Sequence, residues 1–576
     1  MKTADLIVII AYIAGLFAIG GIYGGKIKNT SDLFAAGERS PWWVSGLSGF
    51  MTMFSAGTFV VWGSIAFKHG MVAVTINMCY GVAALLVGWL LAGYWKRLGI
   101  ATPAEFISRR FGKGAVHFYT WTMMIYRLVG TGVSLYALAV LLCALIPVPE
   151  GVFLQDPATG NLSLGWAVAI FGSIVVIYTV TGGLWAVLMT DVLQFIVLYL
   201  AVGFVVPLML RDAGGVSGFL EKQPDGFLAL TNNEFTWLFM LGWTAIHFFM
   251  VGAEWAFVQR YLCVPTAKDA RKSAWLFGGL YIVSPLFWML PPMLYRVINP
   301  DANPEQAYIL AAWSVLPPGM VGLMVAAMFS ATASMISGQL NVFAGVLTHD
   351  IIKPFLLRIP DELRLVKLGR LMTFVLGVLI TAMALAVPKM GGAEKLILSI
   401  TSLIVGPLLL PVVWALFSRK IRSADLAVTA CICFGIGLFT RFGLAASSPL
   451  AGLPGFSLTS AFAHAHERNL EIIIGVILPA LLLAIAEWRR RNPAPNVHFF
   501  DDRNEGAEEN PIALSADELR QPARIVGWSL LTCGAGMGIL AALNEKDRSI
   551  LLTCALLLGL LAALALAFKP KGGKTS

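Results

Sequence analysis

The sequence predicts an all-α protein that crosses a lipid bilayer many times. Of its 576 residues, 58% are hydrophobic and only 13% are charged, whereas soluble globular domains carry about 25% charged residues. Apolar stretches of about 20 residues recur along the chain, and each is long enough to cross a hydrocarbon core about 30 Å thick. Because a helix satisfies its own backbone hydrogen bonds in that core, we expect these stretches to be helices.

The apolar stretches place about 15 spans along the chain. They lie near residues 5–24, 42–67, 73–95, 116–146, 164–181, 185–210, 235–258, 274–297, 306–348, 366–388, 395–417, 424–444, 470–487, 525–543 and 549–568. The stretch 306–348 is too long for one straight crossing, so we expect a short external helix followed by a span.

The basic residues are concentrated in alternate loops, which indicates the orientation of the protein. If the N-terminus is outside, the cytoplasmic segments hold 29 of the 41 Lys and Arg residues, in agreement with the positive-inside rule. These segments are 25–41, 96–115, 259–273, 349–370, 418–423, 488–524 and the C-terminal tail. We therefore expect a multi-pass protein of the cell (inner) membrane with a cytoplasmic C-terminus. The net charge of +9 then needs no nucleic-acid partner, and beyond the lipid bilayer no required protein partner is indicated.

Two of the spans are interrupted by glycine-rich stretches. One is GLSGFMTMFSAGTF (Gly46–Phe59), and the other is GWTAIHFFMVGAEW (Gly242–Trp255). Paired interruptions at equivalent places in two halves are typical of inverted-repeat transporters, in which the broken helices form the substrate and ion sites. Glycine is also common in membrane helices for packing alone, so packing remains the alternative.

An acidic residue lies inside one predicted span. Asp191 follows nine apolar or small residues in the run GGLWAVLMTDVLQF (Gly182–Phe195). A carboxylate at this depth is costly unless a cation or hydrogen-bond donor meets it, and intramembrane acids are functional candidates for that reason. The sequence therefore predicts that Asp191 binds an ion, with a structural hydrogen bond as the alternative.

Five separated strings resemble, in the same order, those of the sodium:solute symporter family. They are NTSDLFAAGERSPWW (Asn29–Trp43), TPAEFISRRFG (Thr102–Gly112), GGLWAVLMTDVLQF (Gly182–Phe195), VQRYL (Val258–Leu262) and SATASMISGQLNVF (Ser330–Phe343). The resemblance covers roughly residues 5–420, and the family includes bacterial sodium/sugar, sodium/sialic acid and sodium/proline symporters.

The resemblance implies a leucine-transporter-type fold, an inverted repeat of 5+5 core helices with one preceding helix and about four following helices. The chain would then divide into an N-terminal extra helix with a cytoplasmic loop (1–41), a ten-helix transporter core (42–417), two additional helices (418–487), a charged cytoplasmic connector (488–524), and two C-terminal helices with a basic tail (525–576).

The resemblance also implies a sodium ion between the first broken core helix and the eighth core helix. Its oxygens would come from the main chain of Met51, Phe54 and Ala331 and from the side chain of Ser334. Asp191 would supply charge directly or through water, and Ser337 would contribute at a neighbouring ion position. Where the family has a second hydroxyl after Ser334, this chain has Met335. A thioether is a soft ligand that suits a hard cation poorly, so the resemblance implies a weakened sodium site.

Candidate solute-binding residues lie on four predicted spans. They are Ser55, Thr58, Thr75, Asn77, Arg127, Glu254 and Trp255. By resemblance, Arg127 aligns with a base that holds the substrate carboxylate in sialic-acid members and pairs with an acid, here Glu254, in sugar members. A guanidinium suits either partner, so both interpretations stay open. Trp255 either stacks on a sugar ring or packs, and His247 is expected to line a cavity or pack rather than bind a metal.

These features favour a secondary active transporter rather than an enzyme. The preferred function is sodium-coupled symport, by alternating access, of a small polar organic solute, either a monosaccharide or a sugar acid such as sialic acid. Because a thioether replaces a hydroxyl at the expected sodium site, a proton-coupled or uncoupled transporter of the same fold is an alternative. A third interpretation is a non-transporting membrane sensor that signals through the 488–524 connector.

Overall fold

Helices make up most of the chain in the computed structural model, which describes residues 3–24, 40–100, 102–353, 362–390, 392–444, 456–494, 516–543 and 548–567. Within these ranges the backbone forms no β-strand, only two isolated bridges in the loop before residue 164. Most of the predicted loop 25–41, most of the 488–524 connector and the end of the basic tail lie outside the described residues.

Helices α1 to α11 occupy the chain up to residue 262. They are α1 (Thr3–Gly24), α2 (Trp42–Met53), α3 (Thr58–His69), α4 (Met71–Leu90), α5 (Ala92–Arg97), α6 (Pro103–Phe111), α7 (Lys113–Cys143), α8 (Leu164–Asp212), α9 (Gly215–Lys222), α10 (Trp237–Ala253) and α11 (Trp255–Leu262).

Helices α12 to α23 follow. They are α12 (Ala267–Trp288), α13 (Leu290–Ile298), α14 (Ala307–Val315), α15 (Met320–Val346), α16 (Glu362–Ala386), α17 (Ala393–Ile400), α18 (Gly406–Phe417), α19 (Ser423–Leu438), α20 (Phe456–Ala465), α21 (Glu467–Arg489), α22 (Ala516–Leu543) and α23 (Arg548–Ala567). A π-helical turn, Thr401–Val405, joins α17 to α18.

Length and composition identify the helices that can cross a membrane. Among the described residues, 9 helices are long and apolar enough to do so, or up to 11 if each of two bent pairs is one span. Shorter apolar helices at Thr3–Gly15, Leu164–Ile177, Ser423–Leu438 and Val526–Ala542 coincide with further predicted spans. The predicted total of about 15 stays a prediction.

Both predicted interruptions are present. The pair α2 and α3 bends by 60°, and the pair α10 and α11 bends by 51°. Each break has an extended residue: Phe54 with φ −96° and ψ 127°, and Glu254 with φ −72° and ψ 136°. One extended residue ends the regular i to i−4 hydrogen bonding, so backbone groups near the break become available to other partners.

The stretch 306–348 contains the short helix α14 and the span α15, as predicted.

Two other predicted spans have a different form from the one expected. The predicted spans 164–181 and 185–210 instead fall in one helical segment, α8, of 49 residues. The two spans were predicted separately, whereas the helix continues from one to the other without a break. A single crossing needs about 20 residues, and the two apolar parts of α8 are Leu164–Ile177 and Asp191–Asp212.

The centre of the molecule is α15, whose apolar window is entirely buried. It packs against α8, α1, α7, α16 and α2, and its many Ala, Ser and Gly residues allow close approach of these helices. The first helix meets the start of α15 directly, because a carboxylate oxygen of Asp5 accepts hydrogen bonds from the backbone N–H groups of Gly319 at 2.7 Å and Gly322 at 2.9 Å. An acid at this end also interacts favourably with the helix dipole.

Candidate ion and solute site

The carboxylate of Asp191 joins three helices. The side chain is 1% exposed. One of its oxygens accepts a hydrogen bond of 2.6 Å from the hydroxyl of Ser48 on α2, and the other accepts one from the hydroxyl of Ser334 on α15. The predicted ion residues Asp191 and Ser334 are therefore in direct contact, although 143 positions separate them in sequence. Ser48 completes this cluster, and the sequence analysis did not identify it.

A buried cation lies beside the same carboxylate. Arg260 on α11 is 3% exposed. Its Nε donates to the hydroxyl of Ser48 at 3.4 Å, and its Nη1 donates to the carbonyl of Ala256 at 2.8 Å. The sequence analysis counted Arg260 with the charges of the cytoplasmic segment 259–273, whereas the structure places it on α11 and buries its side chain. Hydropathy could not reveal it, since Arg260 follows closely on an apolar span and precedes a charged loop.

The break between α2 and α3 contacts α15. The N–H of Ala56 donates to the hydroxyl of Thr332 at 2.8 Å, and Thr332 follows Ala331, whose side chain is fully buried. At the same break, the carbonyl of Met51 accepts from the N–H of Phe54 at 3.0 Å. The predicted backbone ligands thus lie on two elements that touch each other.

The chemistry of this region fits a hard monovalent cation. Sodium prefers oxygen ligands, and Asp191, Ser48 and Ser334 bring a carboxylate and two hydroxyls together. The hydroxyl of Ser337 lies one helical turn away and donates to the carbonyl of Ser334 at 3.0 Å. Across the described part of the chain, no group of three or more His, Cys, Asp or Glu side chains could hold a metal ion.

A cavity of about 100 Å³ adjoins the break between α2 and α3. It is lined by Thr52, Met53, Ser55, Gly57, Thr58, Val61, Tyr80, Tyr126, Arg127, Val129, Gly130, Val133, Ser134, His247, Met250, Met335, Leu396, Ile397, Ile400 and Thr401. Three of the predicted solute residues, Ser55, Thr58 and Arg127, are therefore brought together. Met335, at the position of the missing hydroxyl, also faces this cavity.

Arg127 and Glu254 form a bidentate ion pair. The Nε of Arg127 donates to Oε1 of Glu254 at 3.2 Å, and its Nη2 lies 2.9 Å from Oε2. The Glu254 side chain has no exposed surface, whereas that of Arg127 is 12% exposed. The pairing expected by analogy with sugar members is present, and the guanidinium nevertheless borders the cavity.

An aromatic wall closes one side of the cavity. The rings of Tyr80 and His247 are 3.7 Å apart between centroids, and Trp243 lies 4.6 Å from His247. The Nδ1 of His247 is 2.8 Å from the carbonyl of Trp243. Because a carbonyl can only accept, this contact implies that Nδ1 carries the proton, which leaves Nε2 as an acceptor in the neutral ring. His247 lines the cavity, as expected.

Three predicted solute residues have other surroundings. The hydroxyl of Thr75 donates to the carbonyl of Met71 at 3.3 Å, and the amide of Asn77 donates to that of Ala73 at 2.8 Å. Both side chains are thus bonded to their own helix, and neither lines the cavity. Trp255 is 1% exposed and packs 6.1 Å from the ring of Phe343.

The sequence profile of the sodium:solute symporter family matches residues 33–432, which is more than half of the chain. The chain belongs to this family. Since the family consists of transporters, the protein is a transporter and not an enzyme. Its many apolar helices agree with a multi-pass membrane protein.

Curated relatives of this family member transport different solutes with sodium. A sodium/sialic acid symporter of Aliivibrio fischeri is 27% identical over 66% of this chain and 75% of its own length. A sodium/sialic acid symporter of Proteus mirabilis is 23% identical over 76% and 89%, respectively. The sodium/glucose cotransporter 2 of Rattus norvegicus is 23% identical over 90% of this chain and 83% of its own length.

Solved structures show the fold of this family member. The substrate-bound, outward-open state of a sodium-coupled sialic acid symporter superposes with a TM-score of 0.65 at 20% identity, covering 83% of this chain and 98% of that chain. A nucleobase-cation-symport-1 family transporter in a closed conformation gives a TM-score of 0.50 at 18% identity, covering 82% and 98%. Both are leucine-transporter-fold proteins, so the fold is of this type.

Several cavity residues of this symporter-family chain escaped the sequence analysis. Ser134 is one example: its hydroxyl accepts from that of Ser55 at 3.3 Å. It lies seven residues after Arg127, so the two share a helix face, and that spacing could have identified it. Thr401 lies in the π-helical turn. Such turns are frequent at functional sites but have no simple sequence signature.

Proposed function

We propose that the protein is a secondary active transporter in which sodium influx drives uptake of a monosaccharide or a sugar acid, such as sialic acid. The observation that carries the proposal is the buried carboxylate of Asp191, held between the first broken helix and α15 by Ser48 and Ser334. A small cavity with several polar side chains in a mainly apolar lining adjoins the same helix break. The sodium/sialic acid and sodium/glucose relatives support the choice of ion and solute.

The proposed transport cycle uses the two bent helix pairs. Sodium binds at Asp191, and the solute binds in the adjoining cavity. Each ligand favours the conformation that it binds more tightly, so occupancy of both shifts the population toward a closed state that then opens inward. The breaks at Phe54 and Glu254 are where the bundle can bend around the site.

Hydroxyl groups and aromatic rings suit a sugar in this cavity. Ser55, Thr58 and Ser134 provide hydrogen bonds. Tyr80 and His247, whose rings are tilted by 49° to each other, offer aromatic surface for contact with a sugar ring. Arg127 can act in two ways, depending on the solute. If the solute is a sugar acid, the solute carboxylate binds the guanidinium either together with Glu254 or in place of Glu254. If the solute is neutral, the ion pair stays intact.

Finer features of the architecture belong to this proposal. We propose that residues 42–417 form ten core helices related as a 5+5 inverted repeat, with about 15 spans in the whole chain. The bent pairs α2–α3 and α10–α11 are the first and sixth core helices of this arrangement. The distribution of Lys and Arg supports an inner-membrane protein with the N-terminus outside and the C-terminus in the cytoplasm.

Uptake into proteoliposomes tests the function. Radiolabelled sialic acid and glucose are offered separately, with an inward gradient of sodium or of potassium at equal ionic strength. We expect accumulation of one of them only with sodium. Asp191→Asn, which keeps the size but removes the charge, should abolish this dependence, whereas Asp269→Asn at the start of α12 should not. Equal uptake with potassium, or unchanged coupling in Asp191→Asn, would refute the proposed coupling.

A proton-coupled transporter of the same fold is the second candidate. Met335 favours it, because this thioether stands where the family has a sodium-binding hydroxyl and it lines the cavity. Asp191 could then carry a proton in place of sodium. Uptake that is indifferent to sodium but collapses when a protonophore is added would establish this alternative, and uptake unaffected by both would establish an uncoupled transporter.

A further inference from the structure

Arg260 is a buried cation that the proposed cycle does not yet use. Its Nε donates to the hydroxyl of Ser48 at 3.4 Å, and Ser48 in turn donates to the carboxylate of Asp191 at 2.6 Å. A single hydroxyl thus links the guanidinium to the proposed sodium ligand. The arrangement joins α11, α2 and α8, of which α2 and α11 belong to the two bent pairs.

Four buried charges alternate in sign through this region. Arg127 pairs with Glu254. Glu254 also attracts Arg260, which in turn attracts Asp191. The formal charges of these four groups cancel before any ion arrives. Since an uncompensated buried charge is strongly destabilising, Arg260 supplies the compensation that Asp191 requires when no sodium is bound.

A sodium ion at Asp191 would be a second cation beside a carboxylate that already has one. The two cations repel each other, so Arg260 lowers the affinity of the site for sodium. At an effective dielectric constant of about 20, a unit charge roughly 6 Å from an ion changes its affinity by on the order of 100-fold. Because the guanidinium can relax toward its other partners, we expect a smaller effect on sodium affinity, of about tenfold at least.

Other partners for the displaced guanidinium are already in place. The carbonyl of Ala256 accepts from Nη1 at 2.8 Å, and Glu254 attracts Arg260 from its own helix break. Nη2 of Arg260 already lies against Gly338 on α15, where a β-carbon would come within 3.2 Å of it. The side chain can therefore leave Ser48 without losing all of its polar contacts.

We propose that Arg260 is a tethered competitor of sodium. With sodium bound, the guanidinium withdraws from Ser48. When sodium leaves, it returns and neutralises Asp191, so the empty transporter can reorient without an unpaired buried charge. The inference rests on the proposed sodium-coupled function, and it makes Arg260 a positioning residue rather than an ion ligand.

Sodium binding to purified protein is the first test. Apparent stability in detergent is measured against sodium concentration at constant ionic strength with choline, since a ligand of the native state raises stability with its concentration. We expect Arg260→Gln to lower the half-maximal sodium concentration tenfold or more, and Arg260→Lys to stay within about twofold of wild type. Arg110→Gln is the matched control, because Arg110 is equally buried but bonds to the carbonyls of Ser418 and Ile421.

Transport provides an independent readout. Exchange of labelled solute between loaded states does not require the empty transporter to reorient, whereas net uptake does. Arg260→Gln should therefore keep exchange and lose most net uptake. If Arg260→Gln does not fold, the double variant Asp191→Asn with Arg260→Gln removes both charges and should fold. Failure of the double variant to fold, when Asp191→Asn alone folds, would show that Arg260 is only structural, and it would overturn the inference.

The outcomes separate this inference from the proposed function. If wild type responds to sodium and Arg260→Gln binds it no more tightly, the inference is wrong and the function stands. If only Arg260→Gln responds to sodium, the inference stands. Arg260 then takes the place of the ion in the native protein, and the proposed sodium coupling is wrong. If neither protein responds to sodium, both are wrong.

Discussion

Glu254 has no exposed side-chain surface, and both of its carboxylate oxygens contact Arg127. The same residue forms the break between α10 and α11, where its extended backbone separates the two helices. Its position therefore ties the bend of this helix pair to the charge that borders the cavity. Removing one partner of such a pair costs about 3–5 kcal/mol, mainly because the other charge is left buried and unpaired.

This energetic cost makes it possible to distinguish two roles of Arg127, the structural ion pair with Glu254 and the binding of a solute carboxylate. We expect Arg127→Gln alone to lower the unfolding temperature strongly and to impair uptake of every solute. The double variant Arg127→Gln with Glu254→Gln should recover most of the stability, because no unpaired charge remains. If Arg127 binds the solute carboxylate, the double variant should take up neutral sugars and fail with sugar acids. Equal recovery for both solutes would assign Arg127 a structural role.

At the scale of helices, α21 contacts the parts of the core that border the cavity. Gly475 on α21 lies against the carbonyl of Ser402 in the π-helical turn, and Gly406 lies against the carbonyl of Gly475. Ile472 on α21 packs on Gly242 of α10. A helix outside the predicted ten-helix core is thus packed closely against α18 and against α10, which belongs to one of the two bent pairs of the proposed cycle. The sequence left the role of these later helices open.

Close backbone contact predicts a steric effect at Gly475. In Gly475→Ala the added β-carbon would overlap the carbonyl of Ser402, so we expect a destabilisation of about 1–3 kcal/mol and slower transport. Gly435→Ala on α19 is the control, because nothing lies within 4 Å of its β-carbon position. The control should be unchanged or slightly more stable, since alanine is the better helix former. Equal unfolding temperatures for both variants would contradict close packing of α21.

A second contact between elements lies at the end of α3. The Nζ of Lys68 is 2.9 Å from Oε2 of Glu394 on α17. In the loop between α13 and α14, the pKa of Glu305 is raised by burial and by the nearby Glu394, while Lys68 and a hydrogen bond from Tyr136 act in the opposite direction. Burial thus disfavours the ionised form of Glu305 in the folded protein.

The raised pKa predicts a pH dependence. The carboxyl of Glu305 ionises at higher pH in the folded chain than in the unfolded chain, so its contribution to stability falls as pH rises between the two values and stays low at pH 7. Glu305→Gln should therefore unfold at a higher temperature than wild type at pH 7, by a few degrees at most, and the difference should vanish near pH 4. Glu150→Gln in an exposed loop is the control. A lower unfolding temperature at pH 7 would contradict this assignment.

At the scale of the whole molecule, the distribution of charge predicts the orientation. Arg260 no longer counts as a loop charge, yet most Lys and Arg residues still fall in the segments predicted to be cytoplasmic. The loop before α8 carries acids and no Lys or Arg, and it is predicted to be external. Each side of the membrane has exposed positions that can be labelled.

Cysteine labelling in intact cells tests this orientation. In a cysteine-free background, we expect Ala158→Cys in the loop before α8 to react with a membrane-impermeant maleimide. Lys268→Cys at the start of α12 should react only after the cells are opened. Both positions are exposed, so reactivity reports the side of the membrane. The reverse pattern would place the N-terminus in the cytoplasm.

Local pattern was sufficient for much of the fold. The apolar stretches located the helices, because their length must match the bilayer. Glycine-rich stretches located both broken pairs. The form of α8 was not predicted, since two separate spans were expected at 164–181 and 185–210, whereas the helix continues through Gly182 and Gly183. Glycine permits a break without requiring one.

The candidate site, like the fold, was predicted from the sequence only in part. The sequence by itself identified Asp191, because a buried acid in an apolar span is costly and has to meet a donor. The resemblance to the symporter family added Ser334. Only the tertiary structure decided that Ser48 and Arg260 complete that cluster, and that Thr75 and Asn77 bond to their own helix instead of lining the cavity. The physical reason is that nearly uniform hydropathy around a membrane helix does not specify which face meets which neighbour, and packing of distant segments settles it.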